Sequence, residues 1–278
     1  METLKPILIA IAVLGGMGGL LGLALALAGK LFHVEEDPRL EQLKQALPGA
    51  NCGGCGFSGC AAYAQAVLEG KAPIGLCASG GNESAQAMAK IMGVKAEKVA
   101  RRVAFVQCAG TTARDKGLYE GISDCAAAAK IAGRGPLICK FGCLGFGNCV
   151  KACPYDAIHL VGGVAKVDPD KCTGCMVCTT VCPRHIIEPV QFGSNITVAC
   201  SSVARGSVTL RGCDIGCIGC FKCEKTCPKD AIHVVKNLAR VDYTKCDQCG
   251  LCVEVCPRHL ISDSNLTAQD GGITVHTN

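Results

Sequence analysis

The residues best equipped for chemistry in this chain are its cysteines, 24 of them in 278 residues. Three runs share one spacing: Cys172-x2-Cys175-x2-Cys178-x3-Cys182-Pro183, Cys217-x2-Cys220-x2-Cys223-x3-Cys227-Pro228 and Cys246-x2-Cys249-x2-Cys252-x3-Cys256-Pro257. Three thiols this close in one loop can converge on a single metal centre, but would pair awkwardly as disulfides. The proline after the fourth cysteine redirects the chain, so that this thiol reaches a neighbouring centre. The spacing is that of [4Fe–4S] ligation, and its chemistry is single-electron transfer at low potential. Zinc sites favour two paired Cys-x2-Cys units and lack the Cys-Pro crossover.

The crossed rule assigns ligands. One cluster takes Cys217, Cys220, Cys223 and Cys256; its partner takes Cys246, Cys249, Cys252 and Cys227. Upstream, Cys172, Cys175, Cys178 and Cys153 form a third regular set. A fourth set is irregular. Its loop reads Cys139-x3-Cys143-x5-Cys149-x3-Cys153-Pro154, and Phe146 stands where the regular pattern has Cys220. Cys139 is the obvious replacement, which gives Cys139, Cys143, Cys149 and Cys182, with Gly142, Gly145 and Gly147 easing the longer loop. A fifth set is Cys52-x2-Cys55-x4-Cys60 with the distant Cys77, where Gly53, Gly54 and Gly56 let backbone N–H groups approach the sulfurs; zinc is its alternative occupant.

Cys108, Cys125, Cys200 and Cys213 remain. They read either as small buried residues or as the ligands of a cluster across the modules. Five [4Fe–4S] clusters are expected and a sixth is left open. The repeated pairs His159/His233 and His185/His259 read as groups outside the ligand sets, because thiols already suffice. No nucleophile–base pairing, phosphate-binding glycine loop or flavin signature is present, so no catalytic residue is assigned.

Composition agrees. Aromatic residues make up 4% of the chain and tryptophan is absent, so inorganic clusters must replace much of the core. The formal charge of +5 misleads, since five oxidised clusters with their thiolates would add roughly −10. Lysines and arginines then act as local neutralisers. No basic run with interleaved aromatics indicates nucleic-acid binding.

The elements that must hold these thiols follow from repeats and periodicity. Residues 152–187 align without gaps on 226–261, with 20 of 36 positions identical. A duplication at this fixed period predicts two tandem modules, approximately 134–190 and 208–263. Each should contain small antiparallel hairpins, such as a strand at Ala165-Lys166-Val167, and short helices around two clusters. Residues 34–47 read as an amphipathic helix stopped by Pro48-Gly49; helices are expected over 83–92, capped by Asn82, and over 95–104. The fold class is α+β: an anchor over 1–30, a small helical Fe-S domain over 31–80, a helical connector over 81–133, one ferredoxin-like module over 134–190, and a second over 191–278 with a C-terminal tail.

Residues Ile7 to Gly29 are 23 consecutive uncharged, mostly apolar residues between Lys5 and Lys30, which predicts a single N-terminal transmembrane helix. Gly15/Gly19 and Gly18/Gly22 would let another helix approach. A signal peptide is the rival reading, through Ala26-x-Ala28, but the run is long for one. Cluster assembly needs a reducing compartment, which puts the rest of the chain on the cytoplasmic side of the cell membrane.

The anchor, then GANCGGCGFSGC, then CKFGCLGFGNCVKACPYDAI and the ferredoxin repeat closely resemble the B subunits of Rnf complexes, the ion-translocating ferredoxin:NAD oxidoreductases of bacterial membranes. The resemblance covers essentially the whole chain, and the second module suits the longer members. It implies an electron relay accepting electrons from reduced ferredoxin. Its partners would be flavin-carrying, NAD-reducing and integral membrane subunits that pump Na+ or H+. The alternative is a polyferredoxin subunit of another membrane oxidoreductase, hydrogenase- or reductase-linked.

Overall fold

The structure is a computed structural model that describes residues 4–31, 37–96, 100–110, 119, 121–131 and 135–263. It divides into two units, residues 1–41 and 42–278.

The first unit is dominated by α1 (Leu4–Leu31). Its described side chains, Val13 to Leu27, are exposed. The expected transmembrane anchor over 1–30 is corrected here: among the described residues, no helix is long and apolar enough to cross a membrane. Glycine recurs through the described part of α1. Gly15, Gly16, Gly18, Gly19 and Gly22 add no apolar side chain to it.

Helix α2 (Pro38–Gln45) starts four residues after the expected Val34, and residues 34–36 lie outside the described residues. Pro38 suits a first helical turn, where its missing N–H has no partner to lose. The Asp37 carboxylate caps the start by accepting from the Arg39 N–H at 2.9 Å. The hydrogen bonds from Arg39 hold that carboxyl below its ordinary pKa. Leu43 and Leu47 are buried.

In the second unit, α3 (Cys60–Leu68) buries Tyr63, Ala64, Ala66 and Val67. Helix α4 (Gly81–Met92) ends at Gly93 in the left-handed conformation, and its N-cap is Gly80 rather than Asn82. Where a helix over 95–104 was expected, Arg102–Val106 forms strand β1, and residues 97–99 lie outside the described residues. RVAFV is rich in β-branched and aromatic residues, and a partner strand overrides the helical reading. After α5 (Cys125–Lys130) and α6 (Asn148–Lys151) come β2 (Ile158–Val161), β3 (Val164–Val167), α7 (Val177–Val181) and β4 (Ile187–Gln191). The second copy holds β5 (Ile196–Val198), α8 (Gly206–Gly212), α9 (Lys222–Thr226), β6 (Ile232–Val235), β7 (Leu238–Val241), α10 (Leu251–Glu254) and β8 (Ile261–Asp263). The tail from 264 lies outside the described residues.

The described sheets are antiparallel pairs, and they repeat. β2 pairs with β3 through a Gly162-Gly163 turn, and β6 pairs with β7 through Lys236-Asn237, with positive φ at both residues of each turn. Such turns match the right-handed strand twist. β1 pairs with β4 (Val106↔Ile187) as β5 pairs with β8 (Val198↔Ile261). The first module therefore takes its outer strand from the segment read as a connector. One core packs Val103, Val106, Ile158, Val164 and Ile187 with Cys143, Cys149, Cys172 and Cys178; the other packs Ile196, Ile232, Leu238 and Ile261 with Cys217, Cys223, Cys252 and Cys256. Thiols thus occupy positions that aliphatic side chains would otherwise fill.

Candidate metal centres

In the second module the crossed sets are brought together as the spacing predicts. Cys217, Cys220, Cys223 and Cys256 line one cavity with about 340 Å³ of empty space, walled by Phe221, Val234, Leu260 and Ile261. Cys227, Cys246, Cys249 and Cys252 line another of about 340 Å³. The third thiol of each run sits in the first turn of a short helix whose preceding residue is left-handed: Phe221 (φ 60°) before α9 and Gly250 (φ 81°) before α10. That kink turns Cys223 and Cys252 back toward the loop thiols. For Phe221 it costs roughly 1–2 kcal/mol that glycine avoids. Burial pushes the Cys223 and Cys252 thiols up to about 11, and the neighbouring thiols of each set add to it. The Ala231 N–H donates to Cys227 Sγ at 3.3 Å.

In the first module Cys153, Cys172, Cys175 and Cys178 cluster the same way, with Met176 (φ 60°) before α7. Burial pushes Cys178 up to about 12, and Cys172, Cys175, Cys149 and Cys153 raise it further. Ala157 and Ala104 donate N–H bonds of 3.4 Å to Cys153 and Cys172. Arg101 fastens this loop by donating to the carbonyls of Pro169, Asp170 and Cys172, while its guanidinium lies 4.0 Å from the Phe192 ring centre.

The irregular set differs from the sequence expectation. A cavity with about 380 Å³ of empty space is lined by Cys143, Cys149, Cys182 and Cys125, and Cys139 is not among its walls. Burial pushes Cys149 up to about 11, with Cys143, Cys182 and Cys125 adding to it. Cys125 fills the place left by Phe146 because α5 carries it in. Asp124 caps that helix, accepting from the Ala127 N–H at 2.7 Å. Asn148, on the cluster loop, accepts from the Cys125 N–H at 2.9 Å and donates to Asp124 at 2.7 Å. Cys139 lies elsewhere: a methyl group at Gly142 would stand 3.6 Å from its sulfur and 3.5 Å from that of Cys108. Spacing alone hid Cys125, 24 residues before Cys149. The readable signal was an Asp-Cys pair opening an alanine helix.

The small Fe-S domain gathers Cys52, Cys55, Cys60 and Cys77 around a cavity of about 360 Å³ that Cys175 also lines. Tyr63 holds the distant ligand's loop: its hydroxyl donates to the Pro73 carbonyl at 2.9 Å and accepts from the Leu76 N–H at 3.2 Å. Asn51 accepts from the Cys60 N–H at 2.8 Å, and Gly80 donates to Cys77 Sγ at 3.3 Å. Gly54 lies so close to the Cys175 carbonyl that a β-carbon would collide with it. This set therefore abuts the Cys153/Cys172/Cys175/Cys178 set.

Among the described residues, no group of three or more Cys, His, Asp or Glu is arranged to hold a metal ion. In four of the sets the thiols stand in fours around a cavity, and backbone N–H groups are aimed at sulfurs such as those of Cys77, Cys153, Cys172 and Cys227. This arrangement fits a polyatomic iron–sulfur core, whose sulfurs take such hydrogen bonds. None of His159, His185, His233 and His259 lines these cavities.

Comparison with known proteins agrees with this layout. A family model for an Fe-S cluster matches residues 47–79, and models for a 4Fe-4S dicluster domain match 138–186 and 216–261. The chain is 46% identical over 263 residues to the B subunit of the Na(+)-translocating ferredoxin:NAD(+) oxidoreductase complex of Acetobacterium woodii, covering 93% of this chain and 78% of that protein. It is 40% identical to the proton-translocating counterpart of Clostridium ljungdahlii, over 97% of each chain. The chain belongs to the family of Rnf complex B subunits. A third member, the B subunit of an ion-translocating oxidoreductase complex of Methanosarcina acetivorans, is 38% identical over 91% of this chain and 96% of that protein. In this Rnf B subunit, then, a run of glycine-rich and Cys-Pro loops presents thiols in fours.

Proposed function

We propose that this chain is the iron–sulfur electron-carrying subunit of an ion-translocating ferredoxin:NAD oxidoreductase complex. The observation that carries it is the succession of thiol quartets within one folded unit, together with identity to Rnf B subunits across nearly the whole chain. The ligand sets we assign are Cys52/Cys55/Cys60/Cys77, Cys153/Cys172/Cys175/Cys178, Cys125/Cys143/Cys149/Cys182, Cys217/Cys220/Cys223/Cys256 and Cys227/Cys246/Cys249/Cys252. When bound, each cluster supplies one-electron chemistry at low potential.

The protein's part is to fix and insulate. Gly54 against Cys175 holds two sets edge to edge. Aliphatic side chains form part of the walls of the other cavities, and N–H donors temper the sulfurs' charge. Cys220 and Cys249 are exposed, which makes the second module the face where a redox partner can come close. We assign reduced ferredoxin as donor, and flavin-carrying and NAD-reducing subunits as partners in a membrane-associated complex, with the clusters on the cytoplasmic side. The test is anaerobic purification of the complex from its host. Covalent-flavin and NADH-binding partners, and bleaching of the brown chromophore reversed by oxidant after addition of reduced ferredoxin, are expected. A hydrogenase or molybdenum partner would overturn the reading.

A further inference from the structure

Four cysteines lie outside the five assigned sets: Cys108, Cys139, Cys200 and Cys213. They come from segments up to 105 residues apart in sequence, yet the structure gathers them at the junction of the two modules. A methyl group at Gly110 would stand 3.5 Å from Cys213 Sγ and 3.7 Å from Cys108 Sγ; one at Gly142 would stand 3.5 Å from Cys108 Sγ and 3.6 Å from Cys139 Sγ. Cys139 is also an electrostatic neighbour of Cys200. The backbone here is drawn together by Ala109 N–H donating to the Ala199 carbonyl at 3.0 Å and by Ser201 Oγ donating to the Phe141 carbonyl at 2.8 Å.

The gathering has the symmetry of the duplication. Cys108 follows β1 as Cys200 follows β5, each with its N–H on the carbonyl two residues back, at 2.8 and 2.9 Å. Cys139 and Cys213 precede the corresponding ligands Cys143 and Cys217 by four residues each. Cys200 Sγ accepts N–H bonds from Ser202 and Cys217, both at 3.4 Å; Cys108 Sγ accepts from Gly110 and Cys143, the matching positions. Arg258 donates to the Cys213 carbonyl at 2.9 Å, and its repeat partner Arg184 bonds the Lys140 carbonyl beside Cys139. Each module thus contributes one strand-end thiol and one loop thiol, with N–H donors already aimed at the strand-end sulfurs. Four thiols used only for packing would need neither the donors nor the convergence.

We propose that Cys108, Cys139, Cys200 and Cys213 hold a sixth [4Fe–4S] cluster, two ligands from each module. The proposal rests on the ligand reading above and extends it. Binding takes the four thiols as thiolates and releases four protons. The Cys143 and Cys217 amides then link this centre directly to the Cys125/Cys143/Cys149/Cys182 set on one side and the Cys217/Cys220/Cys223/Cys256 set on the other. The two modules would otherwise have no centre at their junction.

The test is metal analysis of the full chain, purified anaerobically. About 24 irons and as many acid-labile sulfides per chain are expected, against about 20 for five clusters. Cys108→Ser and Cys213→Ser should each lower iron by about four per chain and remove one cluster's share of the Mössbauer signal. If a variant fails to fold, the wild-type count stands by itself. About 20 irons in wild type, or about 20 irons with one zinc, overturns the sixth cluster while leaving the five-cluster reading intact. Far fewer than 20 overturns both.

Discussion

The backbone amide of Cys125 donates to the side-chain oxygen of Asn148 at 2.9 Å, tying a helix outside the ferredoxin loop to the loop itself. This bond fixes the thiol that completes the Cys143/Cys149/Cys182 cavity. Cys125→Ser is expected to remove about four irons per chain and one cluster signal, read by iron analysis and EPR. Asn148→Ala should leave all thiols in place but loosen that centre, since a half-buried amide loses its partner at about 1–3 kcal/mol. Unchanged iron in Cys125→Ser would return Cys139 to that set.

Gly54→Ala tests the contact between the Fe-S domain and the first module. The added methyl group meets the Cys175 carbonyl, so backbone must shift. Such overpacking costs about 1–3 kcal/mol. Thermal unfolding should fall by several degrees, and magnetic coupling between the two reduced centres should weaken in EPR. An unaltered melting curve and spectrum would remove the contact from the account.

Tyr63→Phe keeps the buried ring and deletes one hydroxyl that serves two backbone groups. The Leu76 N–H and Pro73 carbonyl then compete for water in a tight loop. A loss of about 1–3 kcal/mol is expected, with faster loss of the Cys77-ligated centre to a chelator. Chelation at wild-type rate would show that the loop is held by other contacts.

Iron removal should do more than empty the sites. Cysteines are part of both module cores, so the iron-free chain loses the links between facing walls of each cavity. We expect lower near-ultraviolet dichroism and rapid proteolysis within 135–263, with protection restored on reconstitution with iron and sulfide. Protease resistance unaffected by iron would contradict this.

The proximity of the regular thiol sets was legible in residue spacing because the ligation rule is local: Cys217 to Cys227 spans one loop and the short helix α9, and the exchange of Cys227 and Cys256 between the two sets is what the rule expects of a thiol followed by proline. The hairpins were legible for the same reason, through a repeat containing Ala165 and Ala239. What failed was non-local. Nothing near Cys125 says that it enters the Cys143 loop; that depends on Asn148 reaching back 23 residues. Nothing near Arg102–Val106 names a strand partner beyond Ile186, so the segment read as helix. The apolar N-terminal run read as a membrane span, yet no described helix meets that requirement. The second ligand pair of the junction, Cys200 and Cys213, was visible only as leftovers.

Strand β1 bears on how the chain is made. Its partner β4 is synthesised about 80 residues later, and Ala104 donates to Cys172 from that still unbuilt half. During translation Val103, Phe105 and Val106 therefore emerge as an unpaired apolar edge, a hazard for association with other chains. A ribosome-bound fragment ending near 180 should accumulate on chaperones, and a fusion made downstream of 191 should be released.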